Sequence, residues 1–247
     1  MRQFLLDADI VAYKAAVVHE TAIEWEDGLW TLHGFLPEAQ QYITQYMDDC
    51  YDQLGEGEFK LFLTDSHNWR KDILPTYKSN RSGPRPILLS AIRQWMRDEL
   101  GAELRPSLEA DDLLGITATL AGNNCVVISE DKDLKTIPCT LYNPRTKELV
   151  EVSEFEADYY FMTQTLTGDT TDGYSGCVGV GPKKAEAILS GCKTLPEMWE
   201  AVVNAFIKAK LSEEIALQQA QVARICRASE FDIKLGKVIP WTPPIKS

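Results

Sequence analysis

The sequence predicts an α/β fold, with a mostly parallel central sheet flanked by helices and a smaller region that is helical throughout. Two observations predict it. Up to about residue 166, short apolar runs rich in Val, Ile, Leu and Phe alternate with helix-period segments. That alternation marks strands joined through crossover helices. After it, helix-period segments follow one another with no strand between them. A chain of 247 residues fits one α/β domain and a modest appendage. The division is expected at 1–166 and 167–247.

Taken in order, strands are expected at 3–6, 59–63, 125–128 and 140–142, and helices at 10–19, 37–54, 87–100 and 109–121. Residues 21–33 alternate around Asp27-Gly28, a pair that tolerates positive φ, which predicts a small hairpin. Further helices are expected at 155–166, 182–189, 196–209 and 212–228, before an extended proline-rich tail at 240–244.

Composition narrows the function. No apolar run approaches a membrane span and no basic-then-apolar leader opens the chain, so a cytoplasmic protein without membrane association is expected. The six cysteines include no C-x-x-C pair and the three histidines do not cluster. This argues against a zinc site and a disulfide framework and for buried, reduced thiols. The net charge of −12 disfavours nucleic acid when taken alone. The charge is uneven, however. Residues 67–86 hold Arg70, Lys71, Lys78, Arg81 and Arg85 against Asp72, a net of +4, leaving −16 elsewhere.

In parallel sheets, ligands bind beyond the carboxyl ends of the strands. Acids stand at those places here. Asp7 and Asp9 end the first strand, Asp65 follows the second, and Asp131 and Asp133 follow the third. Glu109, Asp111 and Asp112 open a helix, and Asp169 and Asp172 precede a glycine-rich turn. Each alone reads as a turn former or a helix cap. Together, Asp7, Asp65, Glu109, Asp111, Asp112, Asp131, Asp133, Asp169 and Asp172 need a counter-charge. An all-oxygen donor set selects Mg²⁺ or Mn²⁺, and this many acids suit two or more ions. Paired divalent ions are the tool of phosphodiester hydrolysis.

Lys78 and Arg81 can hold an attacked phosphate, and Tyr77 can stack on a terminal base. Arg70, Lys71 and Arg85 extend the same basic stretch, which 82–86 interrupts with Gly83, Pro84 and Pro86. In 176–185, Gly179 and Gly181 permit a tight turn and Pro182 suits a first helical position. Exposed amides there, with Lys183 and Lys184, can hold a DNA phosphate. A G-x-G-x-x-x-A run between helices signals helix–hairpin–helix binding to duplex DNA.

These motifs, in order, resemble bacteriophage 5′-to-3′ exonucleases of the flap-endonuclease superfamily. The resemblance covers residues 4–190. It rests on Leu6-Asp7-Ala8-Asp9, on Thr64-Asp65-Ser66 with Tyr77-Lys78-Ser79-Asn80-Arg81, and on Glu109-Ala110-Asp111-Asp112. It also rests on Ser129-Glu130-Asp131-Lys132-Asp133 and on Gly168-Asp169-Thr170-Thr171-Asp172 with 176–185. The resemblance implies a PIN-like core in 1–166 and a helix–hairpin–helix DNA-binding region in 167–247. It implies a monomer that hydrolyses duplex DNA from 5′ ends, giving 5′-phosphate products. Flap cleavage and RNA-primer removal from RNA–DNA hybrids are implied as well. Lys78 and Arg81 would contact the phosphate near the cut, Tyr77 would stack, and K⁺ would sit in the hairpin. The family usually has a small or neutral residue at the position of Asp9, which is here a ligand or a bystander.

Two other readings stand beside it. Asp7-Ala8-Asp9 also fits the D-x-D of haloacid-dehalogenase-type phosphatases, which would form a phospho-aspartate at Asp7. A DNA-recognition module without catalysis would use the hairpin alone. Neither accounts for Tyr77 to Arg81 together with nine ordered acids.

Overall fold

The structure is a computed structural model that describes residues 1–81 and 83–244. Ser82, first residue of the expected break at 82–86, lies outside the described residues.

The chain opens with β1 (Gln3–Asp7), α1 (Ala8–Val18) and a hairpin of β2 (Glu20–Glu24) and β3 (Trp30–Gly34). Asp27 and Gly28 turn that hairpin with φ of 79° and 72°, as their sequence predicts. α2 (Leu36–Leu54), β4 (Glu58–Phe62), α3 (Arg70–Ile73), α4 (Leu89–Glu99) and α5 (Ala110–Ala121) follow. Then come β5 (Cys125–Ile128), β6 (Thr140–Asn143), β7 (Glu148–Glu151) and α6 (Glu154–Thr167). The chain ends through α7 (Pro182–Leu189), α8 (Leu195–Lys208), α9 (Glu213–Ala223), β8 (Phe231–Asp232) and β9 (Lys237–Val238).

The central sheet has the order β4-β1-β5-β6-β7. The first four strands are parallel, with Leu6 opposite Leu61 and Ile128, and β7 returns antiparallel to β6. From β1 the chain goes first to one neighbour, β4, and later to the other, β5. Such a reversal opens a crevice at the carboxyl ends of the strands. Both faces of the sheet are covered. Phe4 and Leu6 pack with Ile43 of α2 and with Ile92 and Met96 of α4. Leu5 points the other way, toward Leu113 and Leu114 of α5. This alternation is the period of two along a strand. Burying a side chain such as Phe4 contributes about 1.5–3 kcal/mol.

A third core joins α6 to α9 through Phe161, Met162, Leu189, Trp199 and Phe206, and takes in Tyr77 from the basic stretch. The proline-rich tail is extended, and it is anchored. Trp241 is buried with its ring 5.2 Å from those of both Phe161 and Trp199.

Three expectations need correction. The helix expected over 212–228 stops at Ala223, because Arg224 and Arg227 leave it to pair with Glu230 and Asp158. The departing chain crosses α5 at Gly115, where a Cβ would stand 2.4 Å from the Cys226 carbonyl. Second, the region after residue 167 is not helical throughout, because β8 and β9 pair antiparallel near its end. The basic stretch at 75–80 folds as turns, with Lys78 at φ of 52°. Third, β7 was not expected. All four of its residues are exposed, and its two apolar residues, Leu149 and Val150, are adjacent, so no period-two face marks it as a strand.

Among the described residues, no helix is long and apolar enough to cross a membrane.

Candidate functional site

The site is assembled at the sheet's carboxyl edge. Asp7 is the last residue of β1 and the N-cap of α1, accepting a hydrogen bond from Ile10 N at 3.4 Å. Ser129, directly after β5, donates its hydroxyl to Asp7 Oδ2 at 2.9 Å and accepts Asp131 N at 3.1 Å. One serine therefore ties two strand ends together. Asp131 in turn accepts Asp133 N at 2.8 Å, and Gln164 Nε2 of α6 donates to Asp133 Oδ1 at 2.6 Å. Sequence reading missed Ser129 and Gln164, because neither carries charge.

The acids divide into two groups. Among the described residues, Asp7, Asp111, Asp131 and Asp133 form no salt bridge to a cation. Burial, opposed by the Ser129 and Ile10 bonds and reinforced by Asp131, raises the Asp7 carboxyl to about 6. Burial and the charges of Asp7, Asp131 and Glu109 push Asp111 well above the usual carboxylate range. Burial and Asp131 raise Asp133 to about 7. These shifts record burial first and, after it, like charges converging from three separate segments.

The second group is neutralised. Asp112 is fully buried, and Arg70 donates to both of its oxygens at 2.7 and 2.8 Å. Trp69 Nε1 and Cys226 N donate to Asp112 as well. Burial works against the charge on Asp112, but the Arg70 pairing outweighs it and holds the carboxyl low. Glu109 accepts Arg70 at 3.1 Å, the Tyr77 hydroxyl at 3.0 Å and Lys78 Nζ at 2.5 Å. Asp172 accepts the Tyr77 hydroxyl at 3.0 Å and Arg81 at 2.7 Å, with Lys78 Nζ 3.5 Å away.

A cavity of about 20 Å³ lies where the groups meet, lined by Glu109, Asp111, Asp133, Asp172 and Gln164 among others. That is about the room one water molecule needs. Gln164 is 7% exposed, and its Oε1 has no hydrogen-bond partner among the described residues. Uncompensated carboxylates beside an orphaned amide oxygen fit a hard divalent cation that keeps part of its water shell. Among the described residues, no three His, Cys, Asp or Glu side chains are already assembled as one ion's ligand set.

Several expected roles do not survive the geometry. Arg70 is 2% exposed, so it is a counter-charge inside the protein and cannot reach DNA. Tyr77, also 2% exposed, has no free face on which a base could stack. Asp112 has both oxygens filled by internal donors and is no metal ligand. Asp9 pairs with Arg93 and accepts Thr64 N at 2.7 Å, which makes it a structural tie and removes the acid a D-x-D phosphatase needs. Asp65 sits at the rim, accepting Ser107 N at 2.8 Å, and this bond lowers its pKa.

The basic stretch is docked on the last acid turn. Lys78 N donates to Asp172 O at 2.8 Å, and Asn80 Nδ2 to Thr170 O at 2.8 Å. Asp169 shapes that turn by accepting Thr171 N at 2.7 Å and Asp172 N at 3.3 Å. Gly168 and Gly176 close its base. A Cβ on Gly176 would stand 2.3 Å from Gly168 N, so no side chain fits. Further along, Gly179 takes φ of 74° in the hairpin. Gly181 does not need to be glycine for the turn, since its φ of −100° is open to any residue. Lys183, Lys184, Lys71 and Arg85 are exposed, and Lys184 Nζ donates to Gly179 O at 2.8 Å.

No family model matches the chain. It is similar to the exonuclease of Escherichia phage T7, 29% identical over 97% of this chain and 93% of that protein. Flap endonuclease Xni of Vibrio campbellii is 32% identical over 72% of this chain and 76% of the relative. A solved phage T5 5′-exonuclease with bound zinc aligns over 90% of this chain and 89% of its own, with a TM-score of 0.66 and 15% identity. A phage T5 protein co-crystallised with metal ions aligns with a TM-score of 0.66 at 13% identity, over 90% of this chain and 89% of that one. At such identities the likeness speaks for the fold alone.

Proposed function

The chain belongs to the flap-endonuclease superfamily, beside phage exonucleases and bacterial flap endonucleases, and from that membership we propose that it is a divalent-metal-dependent 5′-to-3′ exonuclease acting on duplex DNA. It also cleaves 5′ flaps and removes RNA primers from hybrids. The observation that carries this reading is the convergence of Asp7, Asp111, Asp131 and Asp133 beside Lys78 and Arg81.

Asp7, Asp111, Asp131 and Asp133 are the proposed ligands of two or more Mg²⁺ or Mn²⁺ ions, with Asp169, Asp172 and Asp65 toward the rim. Ions held by these carboxylates would supply water activation and charge neutralisation for hydrolysis of a phosphodiester. Gln164 and Ser129 orient the carboxylates. Lys78 is held over the acids by Glu109, where its ammonium meets an incoming phosphate and neutralises developing charge. Arg81 holds the same phosphate from the exposed side. Against burial, Lys78 and after it Arg70 keep Glu109 ionised, and Arg70 does the same for Asp112.

The hairpin around Gly179 and Gly181, with Lys183 and Lys184, grips the duplex backbone, and Lys71 and Arg85 extend the contact. At Gly181 a Cβ would meet nothing within 4 Å of the protein itself. Glycine there serves the close approach of a phosphate to the amides. The carbonyl of Gly179, which now accepts Lys184, is the proposed seat of K⁺. Residues 1–166 carry the chemistry and 167–247 the duplex grip. Because α6 packs with α7, α8 and α9, this is a division of labour and not of cores. The protein works as a monomer in the host cytoplasm.

The test is cleavage of a duplex labelled at either the 5′ or the 3′ end, with and without Mg²⁺ or Mn²⁺. Mononucleotide release from the 5′ end alone, only with metal, is expected. Release without metal, or from the 3′ end, overturns the reading.

A further inference from the structure

β7 ends the central sheet, and among the described residues no strand lies beyond it. Its register with β6 fixes which backbone groups remain open. Val152 N donates to Cys139 O at 2.9 Å, and Thr140–Glu151 and Leu141–Val150 are the next pairs along. Residues of an antiparallel strand bond alternately to the partner and to the outside. Val150 therefore bonds to β6, and Leu149 and Glu151 turn their N–H and C=O groups outward. Beside this edge lies a cavity of about 400 Å³, lined by Val150, Val152, Phe155, Tyr159 and Tyr160, with two glutamates against one lysine. Leu149, Val150 and Phe155 are exposed, and the Phe155 ring stands 6.2 Å from that of Tyr159. Residues 148–156 hold Glu148, Glu151, Glu154 and Glu156 and no cation. None of the four forms an ion pair among the described residues. Charges by themselves are a common way to blunt an edge strand. A blunted edge has no use for an apolar cavity, and this edge has one where the side chain of an added strand would fall.

We propose that β7 and its cavity take up an extended segment of a partner protein, with the pattern basic–apolar–apolar–basic, as a sixth strand of the central sheet. Main-chain bonds to Leu149 and Glu151 supply affinity, and alternate side chains supply specificity. The partner's residues opposite Glu148 and Glu151 are Lys or Arg, and those opposite Leu149 and Val150 are apolar. The residue opposite Val150 enters the cavity, because cross-strand neighbours share a face. The pattern reads the same in both directions, so parallel and antiparallel addition ask for the same residues. A second copy of the chain fits less well. Pairing β7 with itself brings four glutamates to four more, and like charges across a ladder are destabilising. The same acids repel nucleic acid. The proposal stands apart from the nuclease reading, so the failure of one leaves the other intact.

The probe is the fluorescein-labelled peptide Thr-Lys-Phe-Val-Arg-Thr, and its control carries Glu in place of both cations. Anisotropy measures the binding of each to the parent and to the double variant Glu148→Lys, Glu151→Lys. Saturable binding of the basic peptide to the parent is expected. The double variant should bind it about tenfold more weakly and prefer the acidic control. Hydrogen exchange at the Leu149 and Glu151 amides of the parent should slow about tenfold or more when the basic peptide is bound. Exchange at Val150, whose amide already bonds to β6, should change less. This second readout needs no substitution, so it decides the case even where the double variant fails to fold. Equal binding of the two peptides, binding without slower exchange at these two amides, or no binding at millimolar peptide overturns the proposal. A parent dimer in sedimentation that the double variant disperses would give the edge to a second copy and overturn it as well.

Discussion

Arg70 and Asp112 face each other inside the protein in a two-bond fork of 2.7 and 2.8 Å, although the sequence sets one in a basic run and the other in an acid cluster. Breaking a buried pair leaves an uncompensated charge, which costs about 3–5 kcal/mol. Arg70→Ala is therefore expected to lower stability by that amount in denaturant unfolding. Its loss of DNA affinity should only follow the unfolded fraction. A stable Arg70→Ala protein with weakened DNA binding would return Arg70 to the surface role.

Lys78 is tied to Glu109 and poised over the acids. Lys78→Ala should slow single-turnover cleavage about 10²–10³-fold, the range for losing one donor aimed at developing charge. Duplex binding, read by anisotropy, should change little. Equal losses in rate and affinity would demote Lys78 to a general phosphate contact.

Asp131 acts on Asp7, Asp111 and Asp133 alike. Asp131→Ala should abolish cleavage. Metal-free duplex binding should persist or tighten, because a charge that repels phosphate is gone. Normal turnover by this variant would remove Asp131 from the centre.

Metal-free stability should fall as pH rises from about 4 to 7. Asp7 and Asp133 have folded-state pKa values of about 6 and about 7, above the ordinary 3.8. The folded chain thus binds more protons than the unfolded one in that window, and stability drains as those protons leave. The shift of Asp7 alone corresponds to about 3 kcal/mol. Melting temperatures measured in chelator should drop by several degrees between pH 5 and pH 8, and Mg²⁺ should recover the loss at pH 8. A melting temperature that rises across this window would contradict the convergence of these acids.

Lys183 is exposed at the start of α7. Lys183→Ala should weaken duplex binding and reduce its log–log salt slope by about 0.9. A slope equal to the parent's would place the duplex contact elsewhere.

Much of this protein was legible in the residues themselves. Apolar runs marked where β1 and β5 fall, because a strand buried on both faces leaves a local apolar signature; β4 and β6 carried a weaker one, with Lys60 or Thr140 among their apolar residues. Parallel pairing then placed Asp7 and Asp131 at one edge, since strands running the same way end on the same side. The Asp27-Gly28 turn and Pro182 at the start of α7 were equally local. Tertiary structure alone decided which charges face water and which face each other. Arg70 and Asp112 stand 42 positions apart, and Asp9 meets Arg93 across a greater gap. A side chain's sign is written in the sequence. Its partner is chosen by packing, and the balance of desolvation against pairing makes one acid a metal-ligand candidate and its neighbour a buried strut.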